Sequence, residues 1–386
     1  MAGSPGERYL RLGLRVGRHE EGIVDSYVGP RELAAEVEAE PLADPRTLVA
    51  EAEALLDELE DGWLRDQVQG LRTYAGVLAG ERWSYADEVE ACYGVRPTWT
   101  EEAEIAAAHE CLEELLPGDG TLTERREAWR RSMHVPPERL ERAVSAAIEA
   151  ARAEASRFVE LPEGERVDVE IVHDVPWLAF CEYVGELRSR ISVNGDLPLS
   201  ALQLLTVAIH ETYPGHHVER ACKEQLLVRG QGLVEETIVL VPTPQSLVSE
   251  GIAELAPWLL LEGDGGAALA AAVADAGGAI DLGHALAVER AYEPCDWAAV
   301  NAALLLHERD APPEEVRAYL EEWALMTPEY SAHVIRFLTE PSSRTYVVTY
   351  PAGRALCRAW VGDDARRFRR LLTEQVRVGE IVTASS

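Results

Sequence analysis

The stretch HETYPGHH at residues 210–217 governs the interpretation of the whole chain, because it places three imidazoles and a carboxylate within eight residues behind an apolar run. In the pattern His-Glu-x-x-His, a helix carries two histidines one turn apart as zinc ligands and leaves the glutamate as a general base. Here the second histidine comes too late for that spacing. On an unbroken helix, His217 would return to the face of His210 about 10.5 Å further along the axis, so the pair would chelate poorly.

The dipeptide Pro214-Gly215 predicts a break in that helix. Proline has no N–H to donate and its ring crowds the carbonyl of His210, while glycine permits the backbone angles that redirect the chain. Without these two residues, His210 and His216 would stand at the ordinary i, i+4 spacing. We therefore assign both as metal ligands, and His217 as a catalytic neighbour that donates to the centre or binds the oxyanion or the substrate.

Two carboxylates follow downstream in SEGIAE, residues 249–254. Glu250 and Glu254 are four residues apart, so they share one face of a helix. A zinc site needs a third protein ligand, and we assign it to Glu250. Glu254, one turn on, would accept a hydrogen bond from the far nitrogen of His210 and fix its tautomer. Glu211 is then free to act as the general base.

These residues resemble the bacterial domain-of-unknown-function 885 family of zincin-like metallopeptidases, with its motif HExxPGHH followed by EGxAE. The resemblance extends through YVGP at residues 27–30 and YVVTYPAG at residues 346–353, so it covers most of the chain. The second motif is also similar to the Asn-Glu-x-x-Ser-Asp element of thermolysin-type zincins, with Ser249, Ala253 and Glu254 at the Asn, Ser and Asp positions. The resemblance implies a zinc cofactor and peptidase activity.

The rest of the sequence predicts a mainly α-helical protein with a small β-sheet, an α+β architecture of the zincin-like kind. Amphipathic helices separated by Gly, Pro or Asp make up an N-terminal helical region, residues 1–160. Residues 166–172 alternate polar and apolar side chains and predict a strand, and residues 185–194 predict a second extended segment. A buried helix over residues 199–213 follows. The catalytic region, residues 161–386, continues from the first in one two-lobed body.

Candidate substrate contacts lie on both sides of the histidine motif. The resemblance implies that the strand before the motif is a sheet edge that pairs with an extended peptide, where Asn194 would hold substrate or, equally, cap the turn. Near the C-terminus, Tyr350 would donate to a developing oxyanion, and Tyr346 and Arg354 would bind substrate, the arginine through a carboxylate. Residues 347–349 predict an extended start, which favours Tyr350 and Arg354 over Tyr346. Packing tyrosines and a solvated arginine are the alternative.

The charge of the chain excludes two classes of partner. Its 386 residues include 36 basic and 68 acidic side chains, a net charge of −32, which repels nucleic acid and anionic lipid. No apolar run approaches the roughly 18 residues that span a bilayer. Residues 1–8 lack the charged and apolar segments of a signal peptide, which predicts a cytoplasmic protein. The six cysteines form no C-x-x-C pair, so neither disulfides nor a thiolate zinc site is expected.

These observations predict a zinc-dependent hydrolase of peptide or related amide bonds, with a peptide or small amide as partner and Glu211 as general base toward metal-activated water. Two alternatives stay open. One is a zinc hydrolase of another bond, such as an ester or lactam, and the other is a non-catalytic binding protein that the metal stabilises. A structural zinc site usually closes with four protein ligands and has no use for an adjacent base, so Glu211 favours catalysis. The sequence leaves the oligomeric state open.

Overall fold

Side-chain caps begin several of the helices. Ser4, Thr121 and Ser200 each form a capping box, in which the hydroxyl accepts from the backbone three residues on and a Glu or Gln side chain bonds back. Prolines occupy the first turn of others, where a missing N–H costs nothing. The computed structural model describes residues 3–175 and 177–385. Within them the chain is mainly helical with two small sheets, which confirms the predicted α+β class.

Helices form most of the first 160 residues. They are α1 Pro5–Gly17, α2 Arg31–Ala39, α3 Pro45–Glu58, α4 Trp63–Leu78, α5 Tyr85–Tyr93, α6 Glu102–Leu115, α7 Leu122–Ser132 and α8 Leu140–Ala155, with a 3-10 turn at Pro137–Arg139. Gly, Pro, Asp or Ser residues separate most of them, as the sequence predicts.

Two small sheets interrupt the helices. Their strands are β1 Val24–Tyr27, β2 Arg166–Val172, β3 Ala179–Gly185, β4 Arg188–Asn194 and β5 Ile238–Leu240. β1 and β5 pair antiparallel. The other sheet has the order β2-β4-β3, with β4 parallel to β2 and antiparallel to β3. β4 is therefore central, and the expectation that the strand before the histidine motif forms the sheet edge is wrong, because β3 folds back as a hairpin and covers it.

The remaining helices follow the second sheet. They are α9 Ala201–Glu211, α10 His216–Lys223, α11 Pro244–Leu261, α12 Gly266–Ala276, α13 Leu282–Glu308, α14 Pro313–Trp323, α15 Pro328–Thr339, α16 Thr349–Val361, α17 Ala365–Thr373 and α18 Val378–Ser385. Shorter turns occur as a π-helix at Glu224–Arg229 and as 3-10 helices at Val234–Thr237 and Tyr346–Val348.

The main hydrophobic core draws on both sides of residue 160. It extends along the sequence from Tyr85 to Ile381 and includes side chains from α5, α6, α8, α9, α11, α13 and α16. A second cluster packs α1, α3 and α4 against β5. Because burial of apolar surface is the dominant favourable term in folding, the helices on either side of residue 160 stabilise each other.

The chain breaks sharply between α9 and α10, as the sequence predicts. α9 ends at Glu211, the Tyr213–Pro214 peptide bond is cis, and α10 begins at His216. A Cβ on Gly215 would lie 1.8 Å from the carbonyl oxygen of His210, so only glycine allows the chain to pass this close. The break turns the second histidine toward the first.

Two glycines let α11 and α16 cross at close range. A Cβ on Gly251 would lie 2.4 Å from the carbonyl oxygen of Gly353, and a Cβ on Gly353 would lie 2.5 Å from that of Leu247. α11 is buried along most of its length and packs against α9 and α16. This crossing holds the start of α16 beside the carboxylates of α11.

Candidate metal centre

Three predicted ligands meet where α9, α10 and α11 converge. One ligand atom from each of His210, His216 and Glu250 lies within 4.8 Å of the other two. Nε2 of His210 is 3.6 Å from Glu250 Oε2, and Nε2 of His216 is 3.5 Å from Glu250 Oε1. The two imidazole rings stand nearly perpendicular, with centroids 4.8 Å apart. The structure thus brings together the ligand set assigned from the sequence.

The donor set fits zinc. Glu250 is buried, and its Oε2 has no hydrogen-bond partner among the described residues. A buried carboxylate oxygen left unpaired costs free energy unless another group, such as a cation, binds it. Two imidazole nitrogens and one carboxylate oxygen form the ligand combination found in catalytic zinc sites.

Neighbouring side chains turn the Nε2 atom of both histidines toward the centre. Nδ1 of His210 lies 3.5 Å from Glu254 Oε1, the contact expected of Glu254. Nδ1 of His216 lies 3.2 Å from Ser249 Oγ, which donates its own hydrogen to Glu219 Oε2 at 2.5 Å. Ser249 therefore accepts from His216, whose Nδ1 carries the proton and whose Nε2 keeps its lone pair for a metal.

A buried ionic network supports Ser249. No motif in the sequence marks the residues of this network, which are Glu219, Arg220 and Lys223. Glu219 is fully buried and bonds to the amine of Lys223 at 2.8 Å, and Arg220 donates to Ser249 Oγ at 3.2 Å. Burial would raise the pKa of Glu219, but Lys223 and Arg220 lower it to about 2. The carboxylate therefore stays ionised and fixes the Ser249 hydroxyl.

The centre carries a negative electrostatic field. Burial lowers the pKa of His210, but the hydrogen bond to Glu254 and the charges of Glu211 and Glu250 raise it to about 10. Burial also raises the pKa of Glu250, to about 7. Carboxylates this close stabilise a cation at His210, whether a proton or a divalent metal.

Glu211 ends α9 beside the three ligands, and no side chain among the described residues hydrogen-bonds to its carboxylate. Burial raises its pKa, while the charge of His210 and the nearby backbone N–H of Cys181 oppose the shift. Cys181 belongs to β3, whose outer edge pairs with no strand in the described chain. The free sheet edge beside the predicted base is therefore β3 and not β4.

The tyrosines of the C-terminal motif occupy different positions in the site. The Tyr346 hydroxyl donates to Glu250 Oε1 at 2.7 Å, whereas the Tyr350 hydroxyl has no hydrogen-bond partner among the described residues. The extended start predicted for residues 347–349 is wrong, because Val347 and Val348 are buried in a helical turn and packing overrides their strand propensity. Tyr346 consequently lies closer to the centre than the sequence suggested.

Arg354 does not have the predicted free guanidinium. It donates to Glu254 at 3.2 Å and to Asp296 at 2.6 Å, and it lies 3.7 Å from Glu293. The side chain is 9% exposed. Arg354 therefore orients Glu254, and its assignment as a substrate clamp needs correction, because its charge is already paired inside the protein.

His217 lies beneath the site and not in it. The side chain is fully buried, with Nδ1 2.8 Å from Ser189 Oγ and Nε2 2.8 Å from Glu165 Oε2. The Tyr213 hydroxyl donates to the same Glu165 oxygen at 2.6 Å, and Arg152 pairs with the other oxygen. Because both ring nitrogens are hydrogen-bonded inside the protein, His217 cannot reach a substrate. The predicted catalytic role is therefore wrong, and His217 instead stabilises the turn between α9 and α10.

Asn194 caps the turn after β4, the alternative to a substrate contact. Its Oδ1 accepts from the backbone of Asp196 at 2.9 Å, and its Nδ2 donates to the carbonyls of Val175 and Trp177. The residue is buried. Its hydrogen-bonding groups are used within the protein, so the predicted substrate contact is corrected.

Comparison with solved structures places this fold among known proteins. A "putative lipoprotein" from Colwellia psychrerythraea superposes with a TM-score of 0.56 at 15% identity, over 92% of this chain and 65% of the other. A "putative lipoprotein of unknown function" from Shewanella oneidensis superposes with a TM-score of 0.54 at 12% identity, over 96% of this chain and 69% of the other. This chain thus spans about two thirds of each, and the likeness establishes a shared fold. No family model and no curated protein matches the chain.

The comparison overturns the predicted cytoplasmic location. Both structures carry the description of a lipoprotein, a class that is anchored to a membrane or lies outside the cytoplasm. The prediction rested on residues 1–8 alone, which are not enough to assign a compartment. Among the described residues, no helix has the length and apolar character needed to cross a bilayer.

Proposed function

We propose that the protein is a zinc-dependent hydrolase that cleaves peptide bonds or related amides. The observation that carries the proposal is the convergence of His210, His216 and Glu250, with ligand atoms within 4.8 Å of one another beside the uncommitted carboxylate of Glu211. Three protein ligands with an adjacent base are typical of catalytic zinc sites, which keep one position open.

The two histidines would hold zinc through Nε2 and Glu250 through its carboxylate. Zinc, when bound, supplies a Lewis acid that polarises a carbonyl and makes water more acidic. Glu211 takes the proton from the attacking water at a carboxylate oxygen and later delivers it to the leaving amine. Its raised pKa, caused by burial, suits a group that must both accept and release a proton.

Tyr350 donates to the oxygen of the scissile carbonyl as negative charge develops there. Burial raises the pKa of its hydroxyl, followed by the charges of Glu250 and Glu254, so the phenol stays protonated and can donate. Its hydroxyl is free of partners in the described chain, which leaves it available to substrate. Tyr346, by contrast, positions Glu250.

The experiment pairs metal analysis with a peptide library. We expect about one equivalent of zinc after purification without added metal, and cleavage products by mass spectrometry. Glu211→Gln should keep the zinc and lose activity by about 10²–10⁴-fold, because an amide cannot accept the proton. Absence of any transition metal, or equal activity of the Gln variant, would contradict the proposal. Cleavage of esters or lactams but of no peptide would reassign the bond.

A further inference from the structure

Arg126 is a buried arginine whose guanidinium has no carboxylate within ion-pair distance among the described residues. The side chain projects from α7 and is 4% exposed. Its Cζ lies 3.5 Å from the centroid of the Tyr292 ring, but it makes no side-chain hydrogen bond and no ion pair within 4.0 Å among the described residues. Arg354, buried to a similar degree, holds two carboxylates within 3.2 Å. Unlike Arg354, Arg126 therefore does not serve the structure as a member of a buried ion pair.

An unpaired buried charge costs free energy, which proteins tolerate mainly where the charge serves a ligand. Nε of Arg126 is buried and has no hydrogen-bond partner among the described residues. Its two terminal nitrogens, by contrast, are accessible to solvent. Asp296 and Glu289 lie nearby on α13 but beyond ion-pair distance, and Asp296 is already bound to Arg354. The free fork of a guanidinium is the group best suited to bind a carboxylate with two hydrogen bonds.

A second arginine lies close to Arg126 on the same helix. Arg130 stands one turn after Arg126 on α7, and its Nε is also buried without a partner. Its only ion pair in the described chain is a 3.5 Å contact with Glu127. Both arginines act on Tyr330: desolvation of its hydroxyl by neighbouring protein groups raises its pKa, and the positive charges of Arg130 and Arg126 oppose the shift. Tyr330 is 57% exposed, so the two arginines lie near a residue at the protein surface.

A continuous series of contacts joins the arginine pair to the metal centre. Tyr292, under Arg126, precedes Asp296 by one turn of α13. Asp296 binds Arg354 at 2.6 Å, Arg354 binds Glu254 at 3.2 Å, and Glu254 lies 3.5 Å from His210. This series of side chains runs from beneath Arg126 to the ligand His210.

Two tyrosines lie close to the same series of side chains. Tyr330 acts electrostatically on Tyr350, which is also within the field of Glu211 and Glu250. A substrate that contacts Tyr350 near the metal can therefore extend past Tyr330 toward Arg126.

We propose that Arg126 and Arg130 bind a carboxylate of the peptide substrate, either its C-terminal carboxylate or an acidic side chain on the C-terminal side of the scissile bond. The inference rests on the proposed function and adds an orientation to it. The ligand region is rich in carboxylates and repels anionic groups, while the arginine pair offers a positive charge at the far end. A peptide therefore lies with its anionic end toward α7.

The first test needs no activity. Without substrate, Arg126→Met should unfold within about 1 °C of the parent or higher, because the substitution removes a buried unpaired charge and keeps the apolar stem. Arg354→Met, the matched control, should unfold several degrees lower, because it removes the ion-pair partner of Asp296 and one of the partners of Glu254. An equal loss of stability in both variants would make Arg126 a structural residue and overturn the proposal.

The second test compares three peptides that differ only in charge: a free C-terminal acid, its C-terminal amide, and the amide with a glutamate near that end. With zinc-loaded parent protein, one acid form should have kcat/KM about 10–100-fold above the plain amide, mainly through KM. Arg126→Gln should bring the kcat/KM of the acid form down to that of the plain amide measured with the same variant. Preference for the free acid identifies the terminus, and preference for glutamate identifies the side chain. Equal rates for all three peptides would overturn the proposal.

A third experiment tests the arginine site independently of the proposed hydrolase activity. Zinc-loaded Glu211→Gln is titrated with the same three peptides by calorimetry, which measures binding without turnover. Tighter binding of an acid form, lost in Glu211→Gln combined with Arg126→Gln, supports the arginine site even if the parent cleaves no peptide. Equal binding of all three peptides would overturn the arginine site even if the parent cleaves them.

Discussion

His216 and His217 are adjacent in the chain yet belong to different parts of the molecule. His216 contributes to the ligand cluster, whereas His217 is fully buried between Ser189 and Glu165. Neighbouring helical side chains diverge by about 100°, so the sequence could exclude a shared metal. It could not identify Glu165 or Ser189 as partners, because both are distant in sequence and meet His217 only through the sheet.

Substitution should separate the two histidines. His216→Ala should lose zinc on dialysis while its metal-free form stays about as stable as that of the parent. His217→Ala should lower the free energy of unfolding by about 2–4 kcal/mol, because it removes the buried hydrogen bonds of the imidazole to Glu165 and Ser189. Elemental analysis and urea unfolding measure the two effects. Zinc loss confined to His217→Ala would contradict the assignment of His216 as ligand.

Glu165 should make stability depend on pH. Burial would raise its pKa, but hydrogen bonds from His217, Tyr213 and Arg152 lower it to about 2. A depressed pKa adds stability above the ordinary value near 4.5, on the order of 3 kcal/mol, and this is lost as pH falls from about 4.5 toward 2. Glu165→Gln should therefore be less stable than the parent at pH 7, and the gap should narrow below pH 4.5.

Glu163 provides the control for this measurement. It is exposed, stands two residues away, and makes no ion pair with the described residues. Glu163→Gln should follow the parent at every pH in urea unfolding. A gap between the parent and Glu165→Gln that stays constant from pH 7 to 3 would show that the charge of Glu165 is not what stabilises the loop.

The crossing of α11 and α16 is the feature that assembles the site at the level of elements. Gly251→Ala would place a methyl group 2.4 Å from the carbonyl oxygen of Gly353. The helices must then separate, and Tyr346 must move from Glu250, which should cost about 1–3 kcal/mol of stability and weaken zinc binding. Competition with a zinc-binding dye measures the affinity.

Gly379 is the matched control, because a Cβ there has no neighbour within 4 Å and the residue lies in α18. Gly379→Ala should be neutral or slightly stabilising, since alanine favours helix and loses less entropy on folding. If Gly251→Ala behaves like Gly379→Ala in both assays, the crossing does not determine the geometry of the site.

Elements with strong local signals could be predicted from the sequence, and those fixed by partners could not. β2 alternates clearly, and Pro214 with Gly215 marks the break after α9. β3 could not be predicted, because its role depends on a hairpin with β4. The helical turn before α16 could not be predicted either, because burial of Val347 overrides its strand propensity. The metal ligands lie in a recognisable sequence motif, whereas Arg126 does not. In a chain rich in arginine, the sequence cannot indicate which arginine is buried without an ion-pair partner.

The three ligands come from three different helices, α9, α10 and α11, so metal binding should stabilise the whole fold. When the free metal concentration is 1,000 times the dissociation constant, binding adds about 4 kcal/mol to the free energy of unfolding. Treatment with a chelator should therefore lower the unfolding temperature by several degrees, and zinc but not magnesium should restore it. Calorimetry with and without chelator measures the shift. Identical unfolding temperatures would contradict a site that ties α9, α10 and α11 together.

The chain has a single lysine, Lys223. Its side chain is buried near the metal centre and forms an ion pair with Glu219. An amine-directed acylating reagent consequently meets no lysine on the folded surface. Its reaction with Lys223 requires α10 to open, and the rate of that reaction gives the frequency of opening at one defined position. Because α10 also carries His216, slower acylation in the presence of zinc would show by mass spectrometry that the ion holds this helix closed.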